Sequence, residues 1–285
     1  MKPTTSYQRI TRYFLIRIIA GLLVVGGMVV LIVLAGNALL DLTPLNANGK
    51  GLLSAFLVSA AALYSYIFLY KNVEKRSINE LSSHNFYGNA ITGFLIGAAL
   101  QSLFIAVLYI KGDYKVVAVN PVSFLLPAFS SGLTAGFVSE LLIRGVFFRI
   151  IEEKAGTVLS LILMTIIFAL LHLNAKGATT LSVASTAIIA GLLLSAGYVL
   201  TRSLWFTIFL HFAWDFIEPG VFGAINPGNT IEHNLFSSKI AGNPLFTGGV
   251  TGPQNSIQAL LLCLFTSLVF LWLAKRRKQF KSRNF

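Results

Sequence analysis

The sequence predicts an all-α integral membrane protein, a polytopic bundle of about eight transmembrane helices. Three observations carry that reading. Hydrophobic residues make up 55% of the chain and charged residues only 11%, whereas soluble domains carry about 25% charged residues. Apolar stretches near the roughly 20 residues needed to cross a bilayer recur along the whole length. Lysine and arginine collect on alternate connections between those stretches.

The first span, 13–40, follows a basic start at Lys2, Arg9 and Arg12. It is longer than the h-region of about 7–15 residues in a secretory signal, so it reads as a retained anchor. The second span, 51–70, and the third, 89–110, flank a polar connector over 71–88, "KNVEKRSINELSSHNFYG". Gly132 and Gly136 punctuate the fourth span, 121–149; the fifth covers 157–174. The sixth, 179–200, carries Ala187, Gly191 and Ser195. Small residues at that spacing let neighbouring helix backbones approach closely. The seventh, 203–219, is the shortest and most polar, and 256–274 closes the series. Between these two, residues 220–255 are rich in Gly, Asn and Pro. A loop that long in a compact bundle is more often functional than a bare linker, and a partly membrane-dipping course suits it. No internal repeat, low-complexity tract or soluble domain interrupts the chain, so residues 1–285 read as one membrane domain. Cys263, the sole cysteine, lies in the last span, which excludes a disulfide framework and a cysteine metal cluster.

Net charge is +12, but its distribution argues against nucleic acid as the partner. Of the 22 Lys and Arg, 17 fall on the side that holds both termini, including the tail "KRRKQFKSR". The other side has Lys50, Lys111, Lys115, Lys176 and Lys239. That asymmetry predicts a multi-pass protein of the cell membrane with both termini cytoplasmic, and the tail reads as an anchor facing anionic headgroups. A folded basic face with interleaved aromatics, as nucleic-acid binding requires, is missing.

Ionisable groups at span depth cost roughly 2.5–3.5 kcal/mol each at the centre, so by default they mark a function. They concentrate on three spans. The fourth carries "SELLIR", with Glu140 and Arg144 at i and i+4, where they can pair. The fifth carries "FALLH", with Phe168 one turn before His172, and the seventh "HFAWD", with His211 and Asp215 again at i and i+4. Each has a plainer reading alone: Arg144 snorkelling to the interface, Glu140 neutralising it, His172 interfacial, Asp215 orienting His211. Glu218 is expected at the interface, and Glu152 and Glu153 in a solvated loop. Five such residues on three spans nonetheless point to one interior site. Two His and a carboxylate are the ligand types of a catalytic zinc. A metal-free Glu and His activating a water, with the second His and Asp stabilising an oxyanion, is the other route. Both lead to amide hydrolysis. The sequence has no HExxH, no pair of intramembrane Asp and no GxSxG elbow. Paired halves and broken helices, the marks of a transporter, are also missing.

"SELLIRG", "FALLH" and "HFAWD" resemble the three motifs, EExxxR, FxxxH and HxxxN/D, of the CAAX-prenyl-endopeptidase and bacteriocin-processing (CPBP, or Abi) membrane proteins. With the outer "GNPLFTGGVTGPQNS", the resemblance covers about residues 121–270, in the manner of that family's bacterial branch, behind three further transmembrane helices. It implies an intramembrane endopeptidase whose Glu, two His and Asn or Asp activate water to cleave a peptide or protein that reaches the bilayer. Arg144, Phe168, His172, His211 and Asp215 match their motif positions, and Glu140 matches the second Glu. Ser139 stands where the first does, the residue to which the family assigns water activation. Adjacent helix positions point about 100° apart, so Glu140 replaces that group only through a shift of the helix. Gln254 likewise stands where bacterial relatives often have Glu. The alternative reading is a catalytically silent relative acting as a membrane binding or bacteriocin-immunity-type protein.

Overall fold

The computed structural model describes residues 13–224 and 233–283. The basic start at Lys2, Arg9 and Arg12, and positions 225–232 of the long loop, lie outside the described residues. Among the described residues, six helices are long and apolar enough to cross a membrane: α1 (Phe14–Asp41), α2 (Ala47–Val73), α3 (Phe86–Lys111), α4 (Val122–Ala155), α6 (Thr180–Thr201) and α8 (Ile257–Arg276). The two other expected spans are also helices. α5 (Thr157–His172) has 16 residues, about 24 Å at 1.5 Å per residue. α7 (Leu204–Phe216) continues through a widened turn at Ile217–Val221 and carries His211, Asp215 and Glu218. The predicted helical membrane bundle is therefore present, six of its eight expected spans being long and apolar enough to cross.

One element departs from the all-helical expectation. The strand β1 (Tyr114–Val119) pairs antiparallel with β2 (Phe236–Ile240), Tyr114 opposite Ile240 and Val119 opposite Phe236. The long loop is thus not a free linker. Tyr114 donates its hydroxyl to Phe222 O at 2.8 Å, and Asn120 Nδ2 donates to Asn234 O and Ser237 Oγ. After β2 comes a one-turn helix, Pro244–Thr247, and then two 3-10 turns, Gly249–Thr251 and Pro253–Asn255.

α7 is the spine of the fold, packed between α3 and α4. The glycines of α4 explain how close that packing is. A Cβ at Gly136 would stand 2.7 Å from Ile208 O, and one at Gly132 3.1 Å from Phe212 O. The backbones meet there, as the small-residue spacing predicts. Gly191 does the same for α6, its missing Cβ falling 2.6 Å from Thr165 Cα on α5. Gly136→Val is therefore expected to push α7 from α4 and destabilise the protein by about 1–3 kcal/mol. A thermal melt of the detergent-solubilised variant checks this, and an unchanged melting temperature would count against the packing described.

Polar side chains cap one end of the bundle. Arg17 of α1 bonds Glu74 at 2.9 Å and Glu153 at 2.7 Å, and Arg149 bonds Glu153 at 2.5 Å. Glu152 is 0% exposed and accepts from Arg202 at 2.6 Å, Thr157 Oγ1 at 2.6 Å and Lys281 at 3.2 Å. The solvated state expected of Glu152 and Glu153 is corrected by these contacts. Arg202 and Lys281 draw Glu152 inward, while Glu153 stays partly exposed between Arg17 and Arg149. The same end gathers the connections after α2, α4 and α6, as strict alternation requires.

In the connector after α2, Glu80 accepts from Arg76 at 2.5 Å and from Tyr66 OH at 2.6 Å. Burial raises the pKa of this carboxyl, but the Arg76 guanidinium and the Tyr66 hydroxyl outweigh it and hold it below the usual range. A depressed carboxylate pKa stabilises the fold above the unfolded value and loses that contribution as pH falls through the folded one. Melting temperature should drop on acidification through that window, and Glu80→Gln should melt lower at neutral pH with a flatter acid limb. A variant with an unaltered acid limb would remove Glu80 from the account.

Candidate active site

Three helices bring the predicted residues together. Glu140 closes the α-helical part of α4, and a π-helical segment, Leu141–Phe148, follows it. Glu140 Oε1 accepts from Arg144 Nη1 at 2.9 Å and lies 2.8 Å from His211 Nδ1. Glu140 and Arg144 are both 0% exposed, so Arg144 does not snorkel. Its other terminal nitrogen donates to Ala190 O, within the π-helical segment Ala187–Leu193 of α6. Widened turns loosen the i→i−4 ladder and recur at functional sites. Here they place a guanidinium and its carbonyl acceptor face to face.

Phe168 has two roles. Its ring lies under the Arg144 guanidinium, 5.5 Å from centroid to carbon, and its carbonyl lies 2.9 Å from His172 Nδ1. A carbonyl only accepts, so Nδ1 carries the proton and, in the neutral ring, Nε2 keeps its lone pair. His172 is half-buried at the end of α5. On α7, His211 Nε2 lies 3.4 Å from Asp215 Oδ2. His211 thus stands between two carboxylates, one buried behind it and one partly exposed in front.

A cavity of about 260 Å³ joins His172, His211 and Asp215 with Thr186, Trp214, Gln254 and Asn255. Gln254 and Asn255 come from the 3-10 turn before α8 and roof the cavity. Trp214 Nε1 donates to Gln254 Oε1 at 2.8 Å, and Thr186 Oγ1 donates to Asn255 Oδ1 at 3.3 Å. Glu218, expected at the interface, is buried instead and accepts from Gln254 N at 3.5 Å. The widened turn Ile217–Val221 tucks it beneath the roof. Sequence reasoning missed Thr186, Asn255 and the Ala190 carbonyl, because an uncharged residue in an apolar helix or a loop carries no signal of cost. Trp214 was visible only as the aromatic inside "HFAWD".

Ser139 is not part of this cavity. It lines a different one, between α1, α2 and α4, with Asn37, Asp41 and Lys50. Glu140 does not line the His cavity directly; it supports His211 from behind. Among the described residues no three His, Cys, Asp or Glu side chains converge as a metal-ligand set. His211 Nδ1 is taken up by Glu140 and its Nε2 lies 3.4 Å from Asp215, and no step is drawn through a metal.

Fold and site together define a multi-pass helical membrane protein with a buried Glu140–Arg144 pair and a half-buried His211–Asp215 pair beside a small polar cavity. Residues 121–217 match the family described as type II CAAX prenyl endopeptidase Rce1-like. That segment runs from the start of α4 to the end of α7 and contains Glu140, Arg144, His172, His211 and Asp215. The match covers about a third of the chain, and over these four helices the chain is similar to a membrane-protease family, the hydrolase class that the motifs imply. No curated protein and no solved structure matches the chain.

Proposed function

We propose that the chain is an intramembrane endopeptidase that hydrolyses a peptide bond near the membrane without a metal, with His172 as the base. The observation that supports this most is the His172 Nδ1–Phe168 O contact, which leaves Nε2 basic in a cavity shared with His211. In this reading Nε2 takes a proton from water as the water oxygen bonds the scissile carbonyl carbon. The resulting oxyanion lies against the Nε2–H of His211, which is held by Asp215 only at 3.4 Å and is free to turn to it. Glu140, fixed by Arg144, keeps a proton on His211 Nδ1 and orients the ring. His172 then gives its proton to the leaving amine, and the peptide C–N bond breaks. A base other than the first motif Glu accounts for Ser139 facing elsewhere.

The substrate is a peptide or protein segment that reaches the bilayer, and the protein sits in the cell membrane with both termini cytoplasmic. The charged cap at the end that holds Arg17, Arg202 and Lys281 supports that orientation. The test is cleavage of a membrane-proximal peptide library by the purified chain in detergent, with and without 1,10-phenanthroline. Cleavage insensitive to the chelator supports the proposal, and chelator-sensitive cleavage rejects the metal-free route. A second reading, a silent relative with a binding or immunity-type role, rests on Ser139 alone. It requires that the His172→Ala/His211→Ala double variant keep the cellular phenotype.

A further inference from the structure

The roof of the cavity that holds His172 and His211 carries two side-chain amides, Gln254 and Asn255. Asn255 uses both ends of its amide within the protein. Its Nδ2 donates to Thr251 O at 2.7 Å, and its Oδ1 accepts from Thr186 Oγ1 at 3.3 Å. Gln254 uses only one end. An indole N–H donates and never accepts, so the Gln254 atom 2.8 Å from Trp214 Nε1 is the oxygen. The NH2 end, turned the other way, has no protein partner among the described residues. It is not sealed in the protein either. Unlike the buried and unpaired amide oxygens of Gln101 and Gln258, Gln254 Nε2 keeps accessible surface on a cavity-lining residue.

The amide is held in place from below. Trp214 is buried, packs edge to face against Phe104 of α3 with ring centroids 5.7 Å apart, and accepts at its carbonyl from Gln101 Nε2 at 3.3 Å. Gln254 N, in turn, donates to Glu218 Oε1 at 3.5 Å. Trp214 follows His211 by three residues on α7, so it shares a side of that helix with His211 and Asp215. The indole therefore fixes the Gln254 amide over the face of α7 that carries the imidazole.

We infer that Gln254 Nε2 is a second oxyanion donor beside His211, a catalytic role that rests on the hydrolysis proposed above. As the water oxygen bonds the scissile carbonyl carbon, the C=O π pair moves onto the carbonyl oxygen. Hydrogen bonds from His211 Nε2 and Gln254 Nε2 stabilise the charge that forms there. Gln254 gives up no proton. When the C–N bond breaks and the leaving amine takes the proton from His172, the electron pair returns to the carbonyl. A neutral amide suits this place, because it keeps its donors at every pH where His172 is a free base. A carboxylate would set a second negative charge beside the oxyanion.

The experiment compares Gln254→Glu with the wild type, as full-length proteins in detergent, on a membrane-proximal peptide that the wild type cleaves. The variant keeps an acceptor for Trp214, so it should melt like the wild type. At neutral pH its kcat should fall by about 10²–10³, the usual cost of one lost oxyanion donor, with KM little changed. Acidification should narrow that gap, because the new carboxyl donates again once it is protonated. Gln254→Leu should lose as much and show no such recovery. Wild-type kcat in Gln254→Glu at every pH would overturn the role of Gln254 and leave the hydrolysis standing. Equal losses in both variants that do not change with pH would overturn it too, as the mark of a merely structural part in the roof. A wild type that cleaves no membrane-proximal peptide would overturn both readings.

Discussion

His172→Ala is expected to lower kcat for peptide cleavage by about 10²–10⁴, the usual contribution of a positioned base. KM should move little, since His172 is one of several lining residues and its loss removes no large apolar contact. The companion variant Ser139→Glu should change neither constant. It restores the family's missing carboxylate in sequence but delivers it to the cavity between α1, α2 and α4, away from both imidazoles. The pair of results is the informative one. Strong activation by Ser139→Glu would mean that α4 turns in the working enzyme and that His172 is not the base. The measurement is steady-state cleavage of whichever peptide the wild type processes.

Arg144→Leu should be the most damaging single change to stability, about 3–5 kcal/mol. The guanidinium is fully buried, paired to Glu140 at 2.9 Å, bonded to Ala190 O and stacked over Phe168. Removing it leaves the Glu140 carboxylate inside an apolar bundle, with only His211 as its partner. Most of the loss comes from that stranded charge. Arg144→Leu/Glu140→Leu, which removes both, should therefore melt well above Arg144→Leu alone while staying inactive, because His211 loses its orienting carboxylate. A double variant no more stable than the single one would show that the ion pair itself, and not the orphaned Glu140, carries the stability. Thermal melts of the three proteins decide this.

The helices were legible because lipid imposes length and apolarity directly on sequence. Even α5 and α7, whose shortness or polarity sets them apart, were marked by the same periodic apolarity. The five candidate residues stood out for the opposite reason, since a charge in hydrocarbon is costly enough to be noticed. What the sequence hid was orientation. One α-helical step and the π-helical segment Leu141–Phe148 decide that Glu140 meets His211 while Ser139 faces the other way. Residue spacing does not announce a widened turn. Glu152 was hidden likewise, because an acid beside a short connection reads as solvated until Arg202 and Lys281 arrive from distant parts of the chain and Thr157 from the start of α5. The pairing of β1 with β2 joins segments more than 100 residues apart, and neither strand has a periodic pattern long enough to announce it.

Those distant partners of Glu152 bear on how the protein is made. As the helices enter the membrane in order, the last turn of α4 waits with an acid that its own surroundings do not neutralise. Arg202 reaches it only after α6, and Lys281 only when the segment beyond α8 is delivered. In the same place Lys281 N bonds Thr157 Oγ1, and Thr157 N bonds Lys281 O. The stretch 277–283 therefore works as a clasp on a structure threaded long before it. A nascent chain stopped short of that stretch would present an open, negatively charged seam to whatever machinery inspects newly inserted proteins.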